Sequence, residues 1–381
     1  MHIEIKNWND LEVLKKLDRR NVSGRDVIIE SKYTEQSSLP FILNAIPVIY
    51  QHLKNKKHKI KLINIDPCFF KIKTDLKNIT SLVIEPNNTC NLFCAFCRTG
   101  RRERKTESVL AFKTFKNVVD QFPVLPQRIE LFGRGEPFLN KDLFRMIQYL
   151  KKGGCPYVAT STNGHFLNTG NIHKLVSSRL DMLLVSLDSL RKKTYQLMRR
   201  GGNFDLVMDN LTQLSYLKSK GVQRPHVCLQ FIITRHNEGE IDLIKRFAAK
   251  LKFGIEFRSL SSDDENLMPL NPRFRRNENF FNQKLKPVNF CAAPWKRMVI
   301  SCEGKITMCP KSLNPGHFDM EKSPLLLGDT QKAGLDEIWN GKAYALLRKQ
   351  MLEDKHAIGC PARCPNPDFS LNKKICKKSR P

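Results

Sequence analysis

From Ile79 onward the chain repeats one pattern: a short apolar run, a polar loop, then a stretch with apolar residues every third or fourth position. Ser81–Glu85, Arg128–Phe132, Tyr157–Ser161, Met182–Leu187, Val227–Ile233 and Gly254–Leu260 read as strands. Lys141–Lys151, Phe204–Lys218 and Glu238–Leu251 read as helices between them. Strand–helix alternation of this length predicts parallel strands joined by right-handed crossovers. Such a sheet places its chemistry at the C-terminal ends of its strands. Residues 1–79 form a smaller α/β unit, with strands at Ile3–Ile5, Val27–Ile29 and Ile60–Ile65 and helices at Leu11–Leu17 and Phe41–Leu53. That unit is either a cap on the larger domain or a substrate-recruitment module. After Lys284–Pro287 the regime changes. Val299–Ser301 and Lys305–Met308 predict a hairpin around Glu303-Gly304, and Leu335–Trp339 leads into a helix through Arg348.

The 381 residues suffice for one large domain and one or two small ones. With 65 Lys and Arg against 37 Asp and Glu, the net charge is +28. Such a field attracts phosphates, nucleic acid or anionic headgroups, unless the lysines are merely spread over the surface. The run Lys54–Lys61 reads as a solvated face. Twelve cysteines behind a polar Met1–Asn21 favour metal binding in a reducing compartment, the cytoplasm, over disulfides. The longest apolar run, Leu39–Tyr50, is broken by Pro40, Asn44 and Pro47, so no membrane span is expected.

The chemistry centres on Glu85-Pro-Asn-Asn-Thr-Cys-Asn-Leu-Phe-Cys-Ala-Phe-Cys-Arg98, where Cys90, Cys94 and Cys97 stand at C-x3-C-x2-C spacing. A loop of that length can present three thiolates to one iron–sulfur cube, leaving the fourth iron open. Zinc would need a fourth ligand, and no other Cys or His lies between Val83 and Lys105. The stretch resembles the cluster motif of the radical S-adenosylmethionine (SAM) superfamily. The resemblance implies a partial (β/α)6 TIM-type barrel over residues 80–275, a [4Fe–4S] cluster whose open iron chelates SAM, and reductive cleavage of SAM to a 5′-deoxyadenosyl radical. Further motifs follow in family order. Gly133-Arg-Gly135-Glu136-Pro137 resembles the GGEP motif, with Arg134 where a glycine is usual, and would receive the SAM amino group. Ser161 and Asn163, then Ser186 and Asp188, resemble the motifs that line the SAM ribose and carboxylate, and Arg199 (or Arg200) the arginine that holds that carboxylate or ribose.

Residues 285–381 carry Cys291, Cys302, Cys309, Cys360, Cys364 and Cys376. Cys291, Gly304 and Cys309, the Gly328-Asp-Thr330 turn, the Glu337-Ile-Trp339 helix and the closing pair Cys360 and Cys364 resemble the SPASM/twitch extension of radical SAM enzymes. The resemblance implies one auxiliary [4Fe–4S] cluster on Cys291, Cys309, Cys360 and Cys364, with Cys302 and Cys376 as substitutes. Spacing alone leaves a four-cysteine zinc site open. Cys68, Cys155 and Cys228 sit in apolar contexts and are expected in cores.

The function expected is a radical SAM oxidoreductase acting on an anionic small molecule, with the auxiliary cluster moving electrons and an external donor such as flavodoxin or ferredoxin supplying them. Arg98, Arg101, Arg102, Arg104 and Lys105 directly follow the cluster loop and either suit an anionic substrate, if that loop borders the barrel mouth, or form a solvated loop. A maturase or epimerase of a ribosomal peptide is the alternative. A nucleic-acid-binding or non-catalytic iron–sulfur protein is the alternative of another class, and no aromatic-rich motif accompanies the basic residues. Asp263, Asp264 and Glu265 follow the last strand as candidate acids or bases.

Overall fold

Nine strands among the described residues form one sheet whose centre is the expected parallel run. The computed structural model describes residues 2–5, 27–31, 60–63, 75–97, 99, 107–260, 264–275, 293–310 and 325–352. Strands β1 (His2–Ile5), β2 (Val27–Ser31) and β3 (Ile60–Ile63) make a separate three-stranded parallel sheet, as their apolar character predicts. The two helices expected between them lie outside the described residues, as do Arg98, Arg101, Arg102, Arg104, Lys105, Asp263 and every cysteine from Cys360 onward.

In the large sheet, β4 (Ser81–Ile84), β5 (Arg128–Leu131), β6 (Tyr157–Thr162), β7 (Met182–Ser186), β8 (His226–Ile233) and β9 (Gly254–Ser259) pair in chain order, all parallel. The connections carry α1 (Phe112–Val119), α2 (Leu143–Lys152), α3 (Thr169–Ser177), α4 (Lys192–Met198), α5 (Phe204–Ser219) and α6 (Ile241–Leu251). Asn168 and Asn203 start α3 and α5 by accepting the amides of Asn171 (2.9 Å) and Leu206 (3.1 Å), the usual cap chemistry.

The two faces of the sheet differ. Alternate strand residues point to opposite sides. Leu82, Ile84, Ile129, Leu131, Val158, Leu183, Val185, Leu229 and Phe231 belong to the main core together with helix residues such as Phe115, Met146, Ile172 and Leu211. The residues between them make the other face. There the apolar groups are two small clusters, around Val83 and Val299 and around Ala159, Met182 and Cys228. Most of the remaining positions on that face are polar, with Arg128 and Glu130, Ser161, Ser186, Gln230, Glu256 and Arg258 beside the apolar Ile232. Gln230 Nε2 donates to Glu256 Oε2 at 2.9 Å, and Arg258 pairs with Glu256 at 3.1 Å.

The sheet does not stop at the six-strand barrel. After α7 (Ala293–Lys296), β10 (Arg297–Ile300) pairs parallel with β4, residue for residue from Arg297 opposite Ser81 to Ile300 opposite Ile84. Strand β11 (Lys305–Thr307) returns antiparallel, completing the predicted hairpin, and β12 (Gly328–Asp329) adds beyond it. Gly304 makes the turn at φ 83°, a conformation costly for residues with a Cβ. Helices α8 (Leu335–Trp339) and α9 (Lys342–Leu352) follow.

Trp339 anchors this last region: it is fully buried, its ring lies 4.6 Å from that of Tyr344, and the Arg348 guanidinium sits 4.4 Å above it. Trp339→Ala is expected to cost about 3–5 kcal/mol through the cavity and the lost ring contacts. The drop in urea midpoint at unchanged slope measures it.

Candidate cofactor and cluster site

The site is built where β4, β5 and β6 end. Strand β4 delivers Glu85 and then the cysteine loop, β5 delivers Gly133–Pro137, and β6 delivers Asn163. Backbone and side-chain bonds knit the three together. The Glu136 amide donates to the Thr89 carbonyl at 2.7 Å, and Asn87 Nδ2 donates to the Glu136 carbonyl at 2.8 Å. Gly135 has no room for a side chain, because a Cβ there would lie 2.2 Å from Asn87 Oδ1 and 2.4 Å from the Thr89 carbonyl. The second glycine of the motif is therefore required by the stem of the cysteine loop. Pro137 is buried and starts the short turn Pro137–Leu139.

Glu136 is almost fully buried; its Oε2 accepts the Asn163 amide at 2.7 Å and its Oε1 the Phe138 amide at 3.2 Å. Burial pushes its carboxyl up to about 7, against the pull of those hydrogen bonds. Asn163 Nδ2 donates to Asn91 Oδ1 at 2.8 Å and lies 3.9 Å from Cys90 Sγ. Ser161 and Ser186 are half-buried on the polar sheet face, where Ser186 Oγ approaches Gln230 Oε1 at 3.5 Å.

The cysteine loop rests on the segment after α4. The Phe93 amide donates to the Arg200 carbonyl at 2.8 Å and the Ala95 amide to the Met198 carbonyl at 2.9 Å. Arg200 thus contributes its backbone, while the Arg199 side chain turns under the loop. Its Nη2 pairs with Asp188 Oδ2 at 2.7 Å, Nη1 lies 3.9 Å from Cys94 Sγ, and the guanidinium is 5.9 Å from the Phe96 ring. Asp188 is wholly buried at φ 65°, with Oδ1 accepting the Ile232 amide at 2.7 Å. Its carboxylate, read from sequence as lining SAM, is ion-paired with Arg199 through Oδ2, an atom that has no hydrogen bond among the described residues. Arg199 Nε and the Tyr195 hydroxyl are buried without a hydrogen-bond partner among the described residues.

The three thiols stand in one loop under the same neighbouring charges. The Leu92 amide approaches Cys90 Sγ at 3.4 Å, a hydrogen bond that favours thiolate. Burial pushes the Cys94 thiol up to about 12, with Arg199 pulling down and Cys97 and Cys90 pushing up, so the three sulfurs share one electrostatic neighbourhood. Among the described residues, the only group of three ligating side chains with donor atoms all within 4.8 Å of one another is Glu85, Cys302 and Glu303.

Arg134, which stands where the family pattern has glycine, fills the Glu85–Cys302–Glu303 group. Its Nη2 lies 2.6 Å from Glu85 Oε2 and 2.7 Å from Glu303 Oε2, and its Nε donates to Glu85 Oε1 at 2.9 Å. Asn88 Nδ2 donates to Glu303 Oε1 at 2.8 Å and the Cys302 amide to Glu85 Oε2 at 3.2 Å. The guanidinium thereby ties the motif loop to the turn of the β10–β11 hairpin. Cys302 lies at that turn as expected, and burial together with the carboxylates of Glu85 and Glu303 pushes its thiol up. Cys309 follows β11 and is half-buried; Cys291, Cys360 and Cys364 lie outside the described residues, as does Cys376. Cys155 and Cys228 are buried in the core as expected. Asp264 shapes a turn, accepting the Asn266 amide at 2.9 Å.

Sequence reasoning passed over several of these residues. Glu85 and Asn87 carry no motif signal. Glu303 was visible only as a hairpin turn. His165, whose Nδ1 lies 3.0 Å from Asn163 Oδ1 and whose Nε2 accepts the Asn203 amide at 2.8 Å, is local wiring that spacing does not reveal.

Arg134→Met leaves Glu85 buried without its cation and is expected to cost about 3–5 kcal/mol, read from urea melts. Glu136 predicts a pH dependence. Its folded value, about 7, exceeds the ordinary 4.5, so its contribution is full below 4.5 and is lost as pH rises toward 7. In cluster-free protein, Glu136→Gln should flatten that decline, a difference of up to about 3 kcal/mol between pH 4.5 and 8.

Comparison with known proteins agrees with this geometry. Residues 84–248 match the model of the Radical SAM superfamily, and residues 291–365 match that of an iron–sulfur cluster-binding domain, SPASM. A GTP 3′,8-cyclase of Limosilactobacillus fermentum is 30% identical over 144 residues, 37% of this chain and 43% of that one. A probable GTP 3′,8-cyclase of Sulfurisphaera tokodaii is 28% identical over 216 residues, 56% of this chain and 63% of that one. The chain thus spans less than two thirds of these relatives. Among solved structures, Streptococcus suis SuiB bound to S-adenosylmethionine superposes with a TM-score of 0.57 at 15% identity, covering 89% of this chain and 77% of that one. The cofactors that go with the two matched regions are a [4Fe–4S] cluster with SAM and auxiliary iron–sulfur centres. The chain carries a radical SAM domain at residues 84–248 and, C-terminal to it, a SPASM-type cluster-binding domain at residues 291–365, the two domains that go together in a radical SAM enzyme.

Proposed function

We propose that this protein holds a [4Fe–4S] cluster on Cys90, Cys94 and Cys97, cleaves SAM reductively at it, and abstracts a hydrogen atom from an anionic small molecule such as a sugar, nucleotide or phosphorylated compound. One observation carries the reading: the loop that presents Cys90, Cys94 and Cys97 is hydrogen-bonded with Glu136 and Asn163 into a single site. When bound, cluster and SAM supply a one-electron cleavage of the sulfonium that yields a hydrogen-abstracting radical.

The chain's own residues bind and orient. Glu136 is a buried carboxylate whose burial disfavours its charge, and a cationic amino group set against it would restore that charge. The carbonyls of Gly133, Gly135 and Pro137 add acceptors nearby. Ser161 and Asn163 would meet the ribose side of SAM, and Ser186 its neighbour on β7. Arg199, fixed by Asp188, keeps Nε free of partners among the described residues, a donor suited to the carboxylate. Residues 80–275 would act as the barrel. Residues 285–381 would hold one auxiliary [4Fe–4S] centre on Cys291, Cys309, Cys360 and Cys364, passing electrons. Residues 1–79 would serve as cap or recruiting unit. A flavodoxin or ferredoxin would supply the electron.

For the substrate, the support is chemical. The polar sheet face offers Arg128, Gln230, Glu256 and Arg258 to a hydroxylated or charged molecule, and the whole chain carries +28. Relatives named as GTP cyclases act, by that name, on a nucleotide. No helix among the described residues is long and apolar enough to cross a membrane.

Anaerobic reconstitution tests the reading. Wild type should take up about eight irons per chain and release 5′-deoxyadenosine from SAM under dithionite. Cys94→Ala should lose about four of them and reduce that release by at least ~10²-fold, the scale expected when a cluster ligand is removed. Undiminished release from Cys94→Ala would sink it. Deuterium transfer into 5′-deoxyadenosine from sugar-nucleotide or phosphorylated candidates supports the small molecule, whereas transfer only from a peptide selects the other substrate class.

A further inference from the structure

The Arg199–Asp188 pair has no surface role, since both side chains are buried, yet it lies directly under a cysteine of the cluster loop. Buried ion pairs are expensive, because each charge loses its water. Here the pair is also asymmetric toward the sulfur. Arg199 extends Nη1 to 3.9 Å from Cys94 Sγ, while Asp188 is held on the far side by its bond from the Ile232 amide, and its main-chain carbonyl accepts from Asn237 Nδ2 at 2.6 Å. Among the described residues, the carboxylate of Glu136 also acts on Cys90.

A reduction potential responds to fixed charge and to hydrogen bonds at the cluster sulfurs. Reduction adds one negative charge, so a nearby cation favours the reduced state and a nearby anion opposes it. Resting on the cluster assignment above, we propose that Arg199 is a positioning and redox-tuning residue: its guanidinium, oriented by Asp188, hydrogen-bonds the Cys94 sulfur and raises the potential of the radical SAM cluster. The pair works as a matched device. Arg199 makes the electron easier to accept, and Asp188 both aims it and moderates its effect.

Opposite charge changes in the two partners should move the potential in opposite directions, which a purely structural pair would not do. The measurement is an anaerobic dithionite titration of the reconstituted full chain followed by electron paramagnetic resonance, using the signal that Cys94→Ala abolishes. Arg199→Gln is expected to shift that centre to more negative potential and Asp188→Asn to more positive, with Arg199→Lys close to wild type because the charge is kept. If Arg199→Gln fails to load iron, Asp188→Asn and Arg199→Lys decide the matter. At full iron content, no shift in Asp188→Asn, or a negative one, overturns the proposal and leaves the cluster assignment standing. Wild-type protein that takes up no iron–sulfur cluster overturns both.

Discussion

One carboxylate organises the site from below. Glu85, directly after the first strand of the parallel run, has no exposure to solvent and takes three donations from Arg134 and one from the Cys302 amide. A buried anion of this kind is tolerable only when each oxygen is matched. Satisfying it therefore dictates where the next strand's loop and the later hairpin must lie. The loop that follows is thereby launched in one direction, with Asn87 and Thr89 set against Gly135 and Glu136 before the chain reaches Cys90.

From that fixed start the rest of the geometry follows in order. The loop bonds onto Met198 and Arg200, which places Arg199 beneath Cys94 and obliges Asp188 to meet it. Asp188 adopts positive φ, at a steric cost few residues other than glycine, asparagine and aspartate bear lightly, and its carboxylate accepts the Ile232 amide. Adjacent strands thus exchange polar contacts at their ends while their midsections remain apolar toward the helices. Such a division lets the site be charged without weakening the core.

Much of this was legible beforehand because its signals are local. Six strands and three intervening helices were evident from period and length, since parallel strands covered by helices write their burial directly into Val, Ile and Leu. Cys90, Cys94 and Cys97 were legible from spacing, and Glu136 and Asn163 from their places just after strands. What escaped notice depends on distance in sequence. Glu85 and Glu303 are more than two hundred positions apart and meet through Arg134, and no periodicity records such a meeting. Arg199 and Asp188 were both picked out, but not as partners of each other, because a motif names residues without recording the ion pair between them.

The parallel pairing of β10 with β4 bears on how separable the two matched regions are. Along the chain they look like successive modules joined by a linker. In space the later one supplies the hydrogen-bonding neighbour that would otherwise be missing from the barrel's first strand. An isolated barrel would present a row of bare amides and carbonyls next to its cysteine loop, an invitation to self-association. Modularity in the sequence is thus not modularity in the molecule: the C-terminal extension is part of the very sheet from which the cysteine loop springs.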